Sequence, residues 1–60
     1  MNLKIIKTKA IEKEYTYKQI AEKTGVTEQT IVNLANGRVP KNVENFIKIC
    51  KLLDIDIKDL

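Results

Sequence analysis

Apolar side chains recur every three or four positions along most of the chain, which is the spacing of one face of an α-helix. Leu3, Ile6 and Ala10 form such a stripe near the start, and a broader stripe runs through residues 43–53. The spacing predicts an all-α protein without a sheet. The five predicted helices cover residues 2–13, 17–24, 28–36, 43–53 and 56–60.

Polar residues that favour helix ends stand between these stripes. Thr16 is a good N-cap, and Gln19 three residues later completes a capping-box pattern. Gly25 tolerates the left-handed backbone with which many helices end. Thr27 can cap the next helix, and Glu28 in its first turn suits the helix dipole. The sequence therefore predicts two short helices joined by a tight corner.

The remaining helix ends carry similar signals. Asn2 is the candidate cap of the first helix, Asn42 of the fourth and Asp56 of the last turn. Gly37 supplies the stop after the third helix. Asp54 follows the fourth helix, where an aspartate tolerates left-handed backbone better than most residues do.

The spacing around the first glycine is that of a helix-turn-helix unit. Ala21 is small enough to lie where two steeply crossing helices touch, and Val26 is the expected buried plug after the turn. Ile31 and Leu34 then recur on one face of the second helix and close the contact.

The segment IAEKTGVTEQTIVNLANG resembles, without a gap, the motif of the Cro and phage-repressor family, also called the xenobiotic-response-element type. The later segment VPKNVENFIKICKLLDIDIKDL resembles the family's fourth and short fifth helices. The resemblance implies one compact, lambda-repressor-like domain over residues 1–60 that binds a double-stranded DNA operator. The family often has a buried arginine–glutamate pair where this chain has Ala10 and Ala35. Because both charges are absent together, we expect the fold to tolerate the change.

The exposed side of the third helix carries the candidate base-reading residues. The amides of Gln29 and Asn33 can bond adenine, and Val32 can meet a thymine methyl group. Glu28 can accept from a cytosine amino group but repels phosphates, so it is either a base reader or an ordinary solvated acid. The resemblance places Glu28, Gln29 and Asn33 at the family's base-reading positions.

Candidate contacts to the DNA backbone flank that helix on both sides. The first-turn N–H groups of the second helix favour an anion, and cationic side chains follow the third helix. The family commonly has glutamine where Tyr17 stands, so a phenol would have to make that phosphate bond. The candidates are Thr16, Tyr17, Lys18, Thr27, Asn36, Arg38, Lys41 and Asn42.

Charge and composition narrow the function classes. Residues 1–43 carry eight Lys/Arg against four Asp/Glu, whereas residues 44–60 carry three against four, so the positive excess lies with the predicted DNA-binding helices. The 60 residues include no histidine and a single cysteine, Cys50, expected in the core. We therefore expect no enzyme, metal, cofactor or small-molecule ligand. Without an apolar run long enough for a membrane or a signal peptide, we expect a cytoplasmic protein.

The sequence is compatible with two functions. The first is a sequence-specific transcriptional regulator of the small repressor or Cro type, as in phages and mobile elements. The second is a protein-interaction module of the same fold, antitoxin-like or regulator-binding, with weak or lost DNA binding. Glu28 and the modest net charge of +3 favour the second.

Apolar residues at the C-terminal end outnumber what one small core requires. Ile55, Ile57 and Leu60 predict either a patch for a weak homodimer or a cap on the bottom of the monomer core. A dimer would set two recognition helices about one turn of DNA apart.

Overall fold

The computed structural model describes residues 2–60, which form four α-helices and a final 3₁₀ turn. The helices are α1 (Ile5–Glu12), α2 (Tyr17–Thr24), α3 (Glu28–Ala35) and α4 (Val43–Leu52), and the 3₁₀ turn is Ile57–Asp59. No strand occurs within the described residues. Helix α2 packs against both α3 and α4, and α1 packs against α3.

One hydrophobic core joins the four helices. Its members come from every helix and from the segments between them, so each short helix is stabilised by burial of its apolar face rather than by its own length. The largest fully buried side chains are those of Ile6, Ile20, Ile31, Ile49 and Leu53. Phe46 and Cys50 are also buried, as the stripe on the fourth helix predicted.

Three of the helix starts carry the predicted side-chain caps. Thr16 Oγ1 accepts a hydrogen bond from the Gln19 N–H, Thr27 Oγ1 from Thr30, and Asn42 Oδ1 from Asn45. The prediction for α1 was wrong, because that helix begins at Ile5 after Lys4 and has no side-chain cap. The Asn2 carbonyl instead accepts from the Ile5 N–H at 3.4 Å, and the Asn2 N–H donates to the Leu60 carbonyl at 3.2 Å.

Three helices end in the same left-handed motif. Glu14, Gly37 and Asp54 have φ of 59°, 95° and 54°, each one residue beyond the helix C-cap. After α1, the Tyr15 N–H donates to the Ala10 carbonyl at 2.9 Å, and the Glu14 N–H donates to the carbonyl of Ile11 at 3.1 Å. These paired bonds define a Schellman motif, and equivalent bonds follow α3 and α4.

The fifth predicted helix is a single 3₁₀ turn instead. Asp56 caps it as predicted, accepting from the Lys58 N–H at 3.0 Å. The turn closes through i→i+3 bonds, with the Asp59 N–H donating to the Asp56 carbonyl at 2.8 Å. The Schellman motif at Asp54 includes the residues just after α4. The segment that remains is too short for α-helical hydrogen bonds, so it forms a 3₁₀ turn.

The sequence left two alternatives open for the C-terminal apolar residues, a dimer patch or a cap on the monomer core, and the three residues divide between them. Ile55 is only 7% exposed, because the Schellman motif turns the residue after Asp54 back onto the end of α4. Leu60 is half-buried and packs against the core. Ile57 alone of the three is largely exposed, at 73%.

An exposed ion pair links the ends of α1 and α4. Lys13 Nζ lies 2.7 Å from Asp54 Oδ2. The hydrogen bond and the opposite charge lower the pKa of the Asp54 carboxyl and raise the pKa of the Lys13 ammonium.

Candidate nucleic-acid interface

The corner between α2 and α3 is fixed by local hydrogen bonds. Gly25 has a φ of 75°, and its N–H donates to the Ala21 carbonyl at 2.9 Å. The Thr24 hydroxyl donates to the Ile20 carbonyl at 2.7 Å and accepts from the Val26 N–H at 3.3 Å. Val26 itself is buried, as the sequence predicted. These bonds hold α3 in a defined direction against α2.

Helix α3 divides cleanly into a buried and an outward side. Ile31, Leu34 and Ala35 are buried, whereas Glu28 and Gln29 are exposed. Val32 and Asn33, the two remaining candidate base readers, are half-buried. All four candidates therefore have solvent access, although the last two present less surface than the first two.

The two amide side chains on the outward side bond to each other. Gln29 Nε2 donates to Asn33 Oδ1 at 3.1 Å, across one turn of α3. This bond leaves the Gln29 carbonyl oxygen and the Asn33 amino group for a ligand, so the pair presents an acceptor and donors together. Adenine displays the complementary donor and acceptor in the DNA major groove.

The capping residues of α2 and α3 that were predicted to contact the DNA backbone already make hydrogen bonds within the protein. Thr16 Oγ1 accepts from Gln19, and the Thr16 N–H donates to Gln19 Oε1 at 2.9 Å, so the Thr16 amide is not free for a phosphate. The N–H groups of Tyr17 and Lys18 are the first-turn donors of α2 without a partner among residues 2–60. The Thr27 hydroxyl caps α3 and shares a hydrogen bond of 2.7 Å with the Thr30 hydroxyl.

Four predicted residues meet in a cleft between α3 and the start of α4. Asn33, Arg38, Lys41 and Asn42 line it, so a candidate base reader lies beside three candidate backbone contacts. Neither Arg38 nor Lys41 has an ion-pair partner within residues 2–60. The side-chain oxygen of Asn42, Oδ1, caps α4. The side-chain NH₂ group of Asn42 is therefore the group that can donate to a phosphate.

Sequence reasoning missed two polar residues of this cleft. Thr30 and Asn45 also line it. Thr30 lies three residues before Asn33 on the same helix, and helical spacing was the signal that could have identified it. Asn45 reaches this cleft only because α4 packs against α2, which also packs against α3, and no local pattern reveals that arrangement.

The other predicted backbone contacts lie elsewhere. Asn36 lines a groove against α1, together with Lys4 and Lys7. Thr16 and Tyr17 line an adjacent groove between α1 and α2. Lys18 is exposed and lies in none of these depressions. The predicted set is thus split between two sides of α3.

The lone thiol is unsuited to nucleophilic chemistry. Cys50 is buried in the core on α4, and burial raises the pKa of its thiol. A raised pKa keeps the sulfur protonated and weakly nucleophilic. No helix in residues 2–60 combines the length and apolarity that crossing a bilayer requires.

Two short helices joined at a left-handed glycine, the second with a polar outward face, define the class of helix-turn-helix DNA-binding domains. A family profile described as helix-turn-helix matches residues 6–60, and the chain belongs to this family, that of the Cro and phage-repressor type. Searches among curated proteins and among solved structures found no match.

Proposed function

We propose that the protein is a sequence-specific regulator that inserts α3 into the major groove of double-stranded DNA and represses transcription by occupying an operator. The observation that carries this proposal is the hydrogen-bonded amide pair of Gln29 and Asn33 on the outward side of α3. An i,i+4 amide pair also stabilises the helix that carries it, and here it holds both amides in a defined geometry on the outward side, as base-edge recognition requires. Such a regulator acts in the cytoplasm.

The reading side chains have separate roles in this proposal. Gln29 and Asn33 bond adenine edges, and Val32 contacts a thymine methyl group. Glu28, the most N-terminal of the four, accepts from a cytosine amino group. Because Glu28 also repels phosphates, it narrows the sequences that the helix accepts.

The phosphate contacts hold α3 in register from two sides. On one side Arg38, Lys41 and the Asn42 amino group face the cleft between α3 and α4. On the other side the first-turn N–H groups of Tyr17 and Lys18 offer donors to an anion. Thr27, Asn36 and the Thr16 side chain supply the remaining polar contacts of the proposed interface.

A single helix-turn-helix unit covers about one half-site, so we propose a weak dimer that forms fully on DNA. With Ile55 buried and Leu60 packed on the core, the dimer contact rests on Ile57 and its surroundings. So small an apolar surface is consistent with weak association in solution.

The decisive experiment is selection of bound duplexes from a random pool, followed by a salt titration of binding. A DNA reader enriches a defined sequence and loses affinity steeply with salt. A pool that stays unenriched after several rounds, together with a shallow salt dependence, would refute the proposal.

A protein-interaction module is the second candidate, and specific exposed residues favour it. Val39, Val43 and Ile47 expose apolar side chains on the α3–α4 segment and along α4, and Glu28 places a negative charge on the reading side. Selection from the random DNA pool, carried out with the wild type and with a variant that has both Val43→Ser and Ile47→Ser, separates the candidates. Loss of a protein partner with DNA selection unchanged supports an additional interaction surface, whereas an interaction module shows no DNA selection in either form.

A further inference from the structure

A continuous shallow surface on α1 lies between two groups of proposed phosphate contacts. Its first part, against α3, is lined by Lys4, Lys7, Thr8, Ile11, Ala35 and Asn36. Its second part, against α2, is lined by Lys7, Ala10, Ile11, Tyr15, Thr16 and Tyr17. Lys7 and Ile11 line both parts and therefore connect them into one surface, the α1 channel.

The α1 channel carries positive charge and no carboxylate. Lys4 and Lys7 are exposed, and neither has an ion-pair partner within residues 2–60. The other two lysines of this region are paired, Lys9 with Glu12 at 3.5 Å and Lys13 with Asp54 at 2.7 Å. The uncompensated charge of α1 is thus concentrated on the side that faces Asn36.

The floor of the channel is low because its residues are small. Ala10 and Ala35 are buried, and each contributes only a methyl group to the surface. A long side chain at either position would fill the space beside Lys7. A carboxylate at position 35 would also neutralise the lysine. Lys7 is exposed and lines both parts of the channel, so its side chain is accessible to a DNA phosphate.

We infer that Lys7 is a further DNA-phosphate contact, made from α1 and outside the helix-turn-helix unit itself. The inference rests on the proposed function, because the phosphate belongs to the DNA that α3 reads. Asn36 at the end of α3 and Tyr17 at the start of α2 border the two parts of the channel. A DNA backbone that contacts both passes Lys7, and Lys4 adds positive charge beside it.

The test compares Lys7→Gln with Lys7→Arg and with Lys51→Gln. Lys51 is exposed, lies at the end of α4 and lines neither part of the channel, so it is a matched loss of one charge. The probe is a fluorescein-labelled duplex of mixed sequence, about 20 base pairs long, titrated between about 50 and 400 mM NaCl by anisotropy. Thermal unfolding of each variant confirms that it is folded.

Loss of one phosphate contact lowers the slope of log Kobs against log salt by about 0.9 and weakens binding about fivefold to tenfold at 0.1 M salt. We expect this result for Lys7→Gln, with Lys7→Arg close to wild type and Lys51→Gln nearly unchanged in slope. Equal slopes for Lys7→Gln and Lys51→Gln overturn the inference and leave the proposed function intact. A wild-type chain that does not bind the duplex at low salt overturns both.

Discussion

Replacing Glu14 with glycine should stabilise the protein. Glu14 has a φ of 59°, in the left-handed region that residues with a Cβ avoid. Its side chain is exposed and makes no hydrogen bond or ion pair with residues 2–60. The Schellman motif uses only backbone atoms here, the N–H groups of Glu14 and Tyr15, so glycine preserves it.

The size of the effect follows from two opposing contributions. Left-handed backbone costs a non-glycine residue roughly 1–2 kcal/mol in the folded state. Glycine's greater freedom in the unfolded chain offsets about 0.4–1 kcal/mol of that relief. The net gain in the free energy of unfolding is therefore about 0.8 kcal/mol. For a domain of this size the gain corresponds to an increase in Tm of about 3–6 °C.

Thermal and urea denaturation followed by far-UV circular dichroism measure the change. Glu14→Ala is the matched control, because it removes the same carboxylate and methylenes but keeps a Cβ at the strained position. We expect Glu14→Gly to be more stable than both Glu14→Ala and the wild type. If the glycine and alanine variants have the same Tm and the same free energy of unfolding, then the left-handed φ of Glu14 costs no stability and the reasoning is wrong.

Three further predictions concern DNA readout, pH and assembly. Gln29→Ala should cost about 1–3 kcal/mol of binding free energy on the selected duplex and relax selectivity at one base pair. Arg38→Ala should weaken binding to all duplexes and lower the slope of log Kobs against log salt by about one. Identical behaviour of the two variants on selected and random DNA would contradict the separate roles. The Asp54 pKa is lowered below its ordinary 3.8, so the Lys13–Asp54 pair contributes stability above pH 4 that is lost as the pH falls through the folded-state pKa. Asparagine also tolerates left-handed backbone, so Asp54→Asn should lower the Tm at neutral pH and flatten the dependence of Tm on pH between about pH 2 and 5. Superimposable Tm profiles of the variant and the wild type would exclude the pair as a source of stability. Ile57→Glu should abolish sedimentation as a dimer and make the two half-sites of the operator duplex fill independently, with a single protein bound per duplex at low protein concentration. An unchanged dimer would place the contact elsewhere.

Features that depend on neighbours in sequence were predictable. Hydrophobic spacing located the four α-helices to within a few residues, and short-range capping chemistry correctly identified Thr16, Thr27 and Asn42 as N-caps. Gly25 marked the helix-turn-helix corner, because a left-handed turn between two amphipathic helices favours a residue without a Cβ. The outward side of α3, with Gln29 and Asn33, followed from the same periodicity.

Features that depend on packing between distant segments were not. The left-handed Glu14 has no side-chain signal, since the packing of α1 and of α2 against α3 overrides its local preference. The sequence left open whether Ile55 belongs to a surface patch or caps the core, and the turn after α4 decides this by directing it into the core. Likewise, only the packing of α1 against α3 brings Lys7 beside Asn36, which lies more than twenty residues away in the sequence. A contact between helices is fixed by the faces that they bury together, not by the residues adjacent in the chain.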